Sequence, residues 1–430
     1  MGIMDVRMGT WFVGTVTLGL WSCQTSNTPH PSASDDAAIA ALKTRVETLA
    51  DPAMEGRETG TEGEALAAQW LSGAFAELGY AERGDSGAFQ AFQYTPHPPM
   101  QIHGDSGDAH LGMAVVKPIV GHNVLYTGAG NTGKGYGVLA AHYDHLGYGG
   151  ENSLFRGEPA VHYGADDNAS GVATMLEVAH RIASTPLEDH VLFCGFSGEE
   201  KGLWGSNHYC EEPTVALDSI RYMLNLDMVG RLRGDTLAVY GTGTSPRWME
   251  ILEACNEEGF VLVPSESGVG PSDHTSFYLE GIPVLHFFTG QHPDYHRPSD
   301  TPDKLNYEGM LRIGRYVERV MRALDRETDW EFTATKDQDE DSTPRFKVTL
   351  GVVPDYLFSG EGMRIDGVTE GRPAAMAGMK RGDVVVRMDT IQIVDMMSYM
   401  TGLSLFEEGM ATEVEIERGG DRLTVNVIWD

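Results

Sequence analysis

Basic residues are scarce in this 430-residue chain: 31 Lys and Arg stand against 63 Asp and Glu, a formal charge of −32. A surface that acidic repels a phosphate backbone, which excludes nucleic-acid binding and attachment to anionic lipid through a basic patch. Cysteine is scarce too. Cys23, Cys194, Cys210 and Cys255 contain no Cys-x-x-Cys spacing and no Cys/His cluster, so there is no disulfide framework and no zinc-finger site, although one disulfide among the last three stays open. No apolar run reaches the roughly 20 residues that a membrane helix needs. What the chain does have is core-forming material: 41% hydrophobic residues, with seven Trp and fifteen Phe. That composition is neither disordered nor collagen-like, and the length calls for two or three folded units.

The N-terminus reads as a signal. Arg7 precedes a short apolar stretch, Trp11 to Trp21, too short to span a bilayer. Leu20-Trp21-Ser22-Cys23 resembles a bacterial lipoprotein box, in which the Cys becomes the lipidated first residue; the alternative is an ordinary secretory signal with Cys23 irrelevant. Either reading makes residues 1–23 a signal segment and expects the protein to be exported, lipid-anchored at the cell envelope or else secreted. A lipid anchor would be its one membrane attachment. Residues 24–36, rich in Ser, Thr and Pro at their start, read as a linker because they carry little to bury.

Residues 37–330 read as one α/β domain. Leu66, Trp70, Leu71, Phe75 and Leu78 recur at helical spacing and stop at Gly79. Beyond them, β-rich runs at 123–126, 137–141, 190–196, 223–226, 236–240 and 283–288 alternate with helical patterns at 170–183, 246–258 and 307–326. Such alternation predicts a mainly parallel mixed sheet flanked by helices. An acidic linker, 331–344, then leads into a small β-rich unit, 345–430.

In a parallel α/β sheet, ligands bind beyond the carboxyl ends of the strands. Here each strand end is followed by metal-ligand residue types: His142-Tyr143-Asp144-His145, then Asp166-Asp167-Asn168, then Glu199-Glu200, Asp227, and Asp294-Tyr295-His296. One such residue alone is ordinary, since a His after a strand is usually a cap and paired Glu usually surface charge. Five strand ends in a row are not ordinary. Mixed His and carboxylate ligation suits Zn²⁺ or a similar ion, and carboxylates beyond the need of one ion suggest two ions sharing a bridge.

The segments GVLAAHYDHLG, GADDNASGVATMLEVA, FSGEEKGLWGS, NLDMVG, PSDHTSF and DYHRPSDT, in that order, resemble the motifs of the bacterial di-zinc aminopeptidase family, whose wider relatives include glutamate carboxypeptidase and the glutaminyl cyclases. MEGRETGTEGEALAAQWL looks like that family's opening segment. The resemblance covers roughly residues 40–325 and implies a zinc exopeptidase fold holding two Zn²⁺ per chain. It implies Asp166 as the bridging carboxylate, Glu200 and His296 completing one site, and His142 and Asp227 the other. It also implies Glu199 as general base toward a metal-bridged hydroxide, Asp144 orienting His142, and a cis peptide between Asp166 and Asp167. Tyr295 matches a tyrosine that in some relatives hydrogen-bonds the oxyanion; simple loop packing is the alternative. Ser272-Asp273-His274 are consecutive, which does not suit a nucleophile-base-orienter triad; the resemblance makes them a structural and substrate-side loop. His97, His103, His110 and His122 follow no strand-end logic and read as surface residues.

Arg372–Asp389 combines a short Ala-rich helix, a stop at Gly378, a Gly382-Asp383 turn and a strand, and resembles a PDZ domain of the protease-associated kind. That implies binding of a peptide or protein C-terminus by strand addition, with Leu350-Gly351-Val352-Val353 as the carboxylate loop and a helix carrying Met396, Met397, Met400 and Leu403 along the groove; the alternative makes the Met run core. The sum is an exported zinc-dependent aminopeptidase acting on peptide substrates. Two alternatives stand beside it: a PDZ tethering protein with a vestigial peptidase fold, and a single-zinc acyltransferase like the glutaminyl cyclases.

Overall fold

A computed structural model describes residues 33–94, 117–128, 135–150, 152–155, 157–327, 330–335 and most of 348–429. Cys23, His97, His103, His110, the acidic run 336–342 and Met396, Met397 and Met400 lie outside the described residues.

Two helices, α1 (Ala33–Leu49) and α2 (Glu62–Glu77), lead into β1 (Ala81–Glu82), β2 (Phe89–Tyr94), β3 (Ile119–Gly128) and β4 (Tyr136–His142). Then come α3 (Gly171–Ser184), β5 (His190–Phe196), α4 (Trp204–Glu211), β6 (Ile220–Leu226), β7 (Thr236–Tyr240), α5 (Trp248–Cys255), β8 (Val261–Ser265), α6 (His274–Leu279), β9 (Val284–Phe288) and α7 (Tyr307–Leu324). The strands form one sheet in the order β1-β3-β5-β4-β6-β9-β7-β8, with β2 on β3. Its centre, β5-β4-β6-β9, is parallel, while β3 and β7 flank it antiparallel. The chain crosses from β4 to β5 on one side and from β5 to β6 on the other, so the strand order reverses around β4. The carboxyl ends of four central strands therefore open onto one crevice.

Both sheet faces are covered. Leu139 and Ala141 of β4 face a core closed by α1, α2, α3, α5 and α7. Val138 and Ala140, one residue out of phase, face a second core with Tyr209, Phe277 and Tyr278. Two buried faces explain why the central strands read as continuous apolar runs rather than alternating ones. Helix α2 starts where Thr61 accepts from the Glu64 N–H at 3.4 Å and stops at Gly79, whose φ of 81° suits a residue without Cβ. Helix α7 starts on Asn306, which accepts from the Gly309 N–H at 2.8 Å.

Two details differ from the sequence reading, and a third settles a point it left open. Helix α1 begins at Ala33, inside the expected linker, because Leu42, Val46 and Leu49 give it a buried stripe against the domain. Residues 331–335, expected to open the acidic linker, pack on the first domain: the Thr333 N–H donates to Thr244 O at 2.8 Å and the Thr335 N–H to the Tyr278 hydroxyl at 2.9 Å. Cys194, Cys210 and Cys255 are buried and free.

The C-terminal unit has its own core of Val348, Leu350, Ile365, Val385, Ile416 and Trp429 among others. Its strands β10 (Val352–Pro354), β11 (Met363–Val368), β12 (Val384–Met388), β13 (Ile391–Gln392), β14 (Ala411–Arg418) and β15 (Asp421–Ile428) pair antiparallel, in the order β10-β11-β12-β14-β15 with β13 on β12; helix α8 (Pro373–Met376) lies between β11 and β12 in the chain. Among the described residues β10 is an edge strand.

Candidate metal centre

His142 is the last residue of β4 and is 1% exposed. Its Nδ1 lies 3.2 Å from the Asp144 carbonyl oxygen and 3.6 Å from the Asp144 carboxylate. Both are acceptors, so Nδ1 is a donor and Nε2 is the nitrogen turned into the crevice. There Nε2 meets Asp227 Oδ1 at 3.3 Å, Asp167 Oδ1 at 3.4 Å and Glu199 Oε2 at 3.9 Å. His296 repeats the arrangement from the loop after β9. Its Nδ1 donates to Asn152 O at 2.8 Å, and its Nε2 lies 3.2 Å from Asp167 Oδ2 and 3.1 Å from Glu200 Oε2. The two oxygens of Asp167 thus face two different histidines.

Asp166, the residue expected between the sites, points elsewhere. Its Oδ1 accepts from the Gly230 N–H at 2.7 Å and its Oδ2 lies 3.2 Å from His292 Nε2. The cis peptide is likewise one residue later, between Asp167 and Asn168. The reason is local backbone bonding: Asp300 Oδ2 accepts from both the Asp166 and Asp167 N–H groups, at 2.8 and 3.2 Å. Asn168 then ties the turn down, its Oδ1 accepting from the Gly171 and Met228 N–H groups. Gly171 has no room for a side chain, since a Cβ would sit 2.3 Å from Asn168 Oδ1 and 2.4 Å from Leu226 O.

Asp144 is fully buried, and its carboxylate accepts from the Glu199 N–H at 3.2 Å and the Thr59 hydroxyl at 3.0 Å. Tyr295 stacks on His296 at 3.8 Å between ring centroids. Ser272, Asp273 and His274 form no triad: Asn225 Nδ2 donates to Ser272 Oγ at 2.8 Å, while His274 stacks on His286 at 4.5 Å. His122 is half-buried on β3 beside Glu64. Sequence reasoning gave no role to His145, whose Nδ1 lies 2.7 Å from Glu200 Oε1, nor to Asp300; the HxxH spacing from His142 was the available signal for the first.

Charge dominates this crevice. Burial alone would lower the His142 pKa, but Glu199 and Asp227 outweigh it and hold the imidazole well above its usual value. For His296 burial is likewise outweighed, by Glu200 and Asp167, to about 10. Glu199 goes the other way: burial first, then Asp227 and Glu200, push its carboxyl well up despite His142. Donor atoms of His142, Glu199 and Asp227 lie within 4.8 Å of one another, as do those of His145, Asp167 and Glu200. Proximity does not distinguish a ligand from its neighbour. His145 spends its Nδ1 on Glu200, whereas His296 has its Nδ1 satisfied by Asn152 and turns its Nε2 toward both Asp167 and Glu200. The donor set that fits a metal pair is His142 and Asp227 on one side, Glu200 and His296 on the other, with Asp167 between, a mixed N/O set suited to Zn²⁺.

A pocket opens beside the cluster, lined by Asp167, Glu199, Asp227, Met228, Tyr240, Pro271, His286, Phe288, Gln291, Tyr295 and His296. Its far wall is apolar: Met228, Tyr240 and Phe288 pack together with Ala238.

Residues 123–321 match Peptidase family M28, and residues 333–428 match the PDZ domain family. The chain is 31% identical over 167 residues to Aminopeptidase YwaD of Bacillus subtilis, a match covering 36% of each chain. It is 32% identical over 193 residues to a probable leucine aminopeptidase of Arthroderma otae, covering 42% of this chain and 51% of that one. The matched region thus spans about a third to a half of these relatives. Among solved structures, an aminopeptidase from Aneurinibacillus sp. strain AM-1 superposes with a TM-score of 0.54 at 18% identity, covering 69% of this chain and 96% of that one. A Porphyromonas gingivalis glutaminyl cyclase superposes with a TM-score of 0.51 at 17% identity, covering 66% and 98%. At these identities the superpositions establish the fold.

The geometry separates two adjacent carboxylates. Asp167→Asn should lower the bound zinc measured by atomic emission on dialysed protein, whereas Asp166→Asn should retain it; the reverse pattern would restore Asp166 as the bridge.

Proposed function

From a chain that joins a Peptidase family M28 domain to a PDZ domain, we propose an aminopeptidase that binds two zinc ions and removes N-terminal residues from peptides. The observation that carries the reading is Asp167, whose two carboxylate oxygens face His142 and His296 from opposite sides at 3.4 and 3.2 Å. When bound, zinc supplies Lewis acidity that polarises the scissile carbonyl and makes water acidic near neutral pH. His142, Asp227, Asp167, Glu200 and His296 would hold it, with Asp144 orienting the His142 ring.

Glu199 moves the proton. Its Oε2 reaches to 3.9 Å from His142 Nε2, and its backbone N–H is pinned to Asp144. In hydrolysis water adds to the carbonyl carbon and the C–N bond breaks; Glu199 takes the water proton and returns it to the leaving amine. Tyr295, on the pocket wall against His296, is the group to hydrogen-bond the developing oxyanion. The apolar wall of Met228, Tyr240 and Phe288 receives the side chain of the N-terminal residue, favouring Leu, Met or Phe over Asp or Glu. A matched pair of donor positions on the two oxygens of Asp167 favours two metals over the single-zinc cyclase alternative.

Zinc-replete protein should shorten a Leu-initiated peptide stepwise from its free amino end, leave the N-acetylated copy intact, and stop on chelation. Equal cutting of both copies would overturn the aminopeptidase assignment, and cutting of neither would favour the cyclase or tethering alternatives. Glu199→Gln should keep its zinc yet lose roughly 10²–10⁴-fold in kcat; activity near wild type would remove Glu199 as the base.

Among the described residues β10 is an edge strand of the PDZ unit, which suits addition of a peptide strand with its carboxylate near Leu350-Gly351. A labelled peptide with a free C-terminus should bind full-length protein and its C-terminal amide should not; equal binding argues against carboxylate capture. The protein is exported, with residues 1–23 as its signal and Cys23 as the lipidated residue. Labelled palmitate should enter the wild type and not Cys23→Ser, and an unlabelled wild type would leave the ordinary secretory signal.

A further inference from the structure

The segment Glu55-Gly56-Arg57 has no role in the chemistry above, yet it holds three consecutive residues at positive φ: 49°, 68° and 51°. Two of them are not glycine, a costly backbone that persists where the surroundings over-determine it. A Cβ on Gly56 would sit 2.4 Å from Gly147 O and 2.7 Å from His162 O. The chain is pressed against two other loops, and this path turns Arg57 inward.

Arg57 is 0% exposed. Among the described residues no carboxylate lies within salt-bridge distance of it; its guanidinium donates to four carbonyl oxygens instead. Nε donates to Tyr143 O at 2.7 Å, Nη1 to Leu49 O at 2.6 Å and Tyr163 O at 2.9 Å, and Nη2 to Gly164 O at 3.0 Å. Tyr143 lies between His142 and Asp144. Tyr163 and Gly164 lead directly into Ala165-Asp166-Asp167. One rigid fork therefore spans the end of α1, the loop that carries His142 and the turn that carries Asp167. The same segment reinforces the first loop: the His145 N–H donates to Arg57 O at 3.2 Å, the Gly147 N–H to Gly56 O at 3.0 Å, and the Thr59 hydroxyl to Asp144 Oδ2 at 3.0 Å.

We propose that Arg57 is a positioning residue for the metal centre, fixing the His142 loop against the Asp167 turn so that both offer their donor atoms to the same ions. The inference rests on the two-zinc reading. Carbonyl partners leave the Arg57 charge unneutralised, so it also acts across the crevice on Asp167, Asp144, Asp300 and Glu200; burial lowers its pKa only to about 10, leaving it cationic at neutral pH. Lysine cannot replace it, because a single ammonium lacks the planar fork that spans four acceptors.

The test is zinc affinity of metal-stripped full-length protein, by competition with a chromophoric chelator, with folding checked by circular dichroism and kcat and KM measured at saturating zinc. Outer partners of metal ligands are worth about 10–100-fold in affinity. Arg57→Lys should lose that much while folded, and lose kcat with KM within about twofold of wild type. A folded Arg57→Lys that binds zinc as tightly as wild type overturns the proposal. If Arg57→Lys does not fold, Thr59→Val decides. It deletes the hydroxyl that donates to Asp144 and accepts from Ser197 at 3.3 Å; weaker zinc binding supports the clamp, and unchanged binding overturns it. A wild type that binds no zinc fails earlier, contradicting the two-zinc reading itself.

Discussion

Five carboxylates, Asp144, Asp167, Glu199, Glu200 and Asp227, crowd one end of a buried sheet, and the rest of the first domain is arranged around that negative charge. Asp144 and Asp167 are 0% and 3% exposed, and such groups are expensive to bury unless hydrogen-bonded or paired with cations. The structure answers with backbone N–H groups on Asp144, Asp166 and Asp300, with imidazoles drawn toward their charged form, and with the unpaired guanidinium of Arg57. Divalent ions would complete the same balance, and the donor set and the electrostatics agree in suiting them.

The sheet makes such crowding possible. A strand order that reverses around β4 brings the ends of β4, β5, β6 and β9 onto one rim, although their residues are up to about 150 positions apart in the chain. Cores on both faces hold those ends still. Loops alone would not keep like charges this close, so rigidity of β4 and β6 precedes any chemistry at His142 and Asp227. The pocket then inherits its character from the strands beyond: Tyr240 ends β7 and Phe288 ends β9, giving an apolar wall opposite the charged one.

Much of this was legible in the sequence. Apolar runs marked the central strands to within three residues at either end, and the ligand types after them marked the rim. Helix α1 was not read as a helix because its Ala-rich sequence has few large apolar residues, and Leu42, Val46 and Leu49 mark a face only once packed. The choice between Asp166 and Asp167 was missed for a related reason. Both are buried aspartates in one turn, and which one faces the histidines is decided by Asp300 and Gly230, residues far along the chain. Arg57 was visible as part of a motif, but its four carbonyl partners are tertiary contacts that no local pattern encodes.

The central claim is that Asp167 joins two zinc sites. Diffraction from zinc-grown crystals, collected on both sides of the zinc absorption edge, tests it most directly. The account predicts two anomalous peaks, one against His142 and Asp227 and the other against Glu200 and His296, with one oxygen of Asp167 on each. A single peak, or two peaks bridged by Asp166, would contradict it.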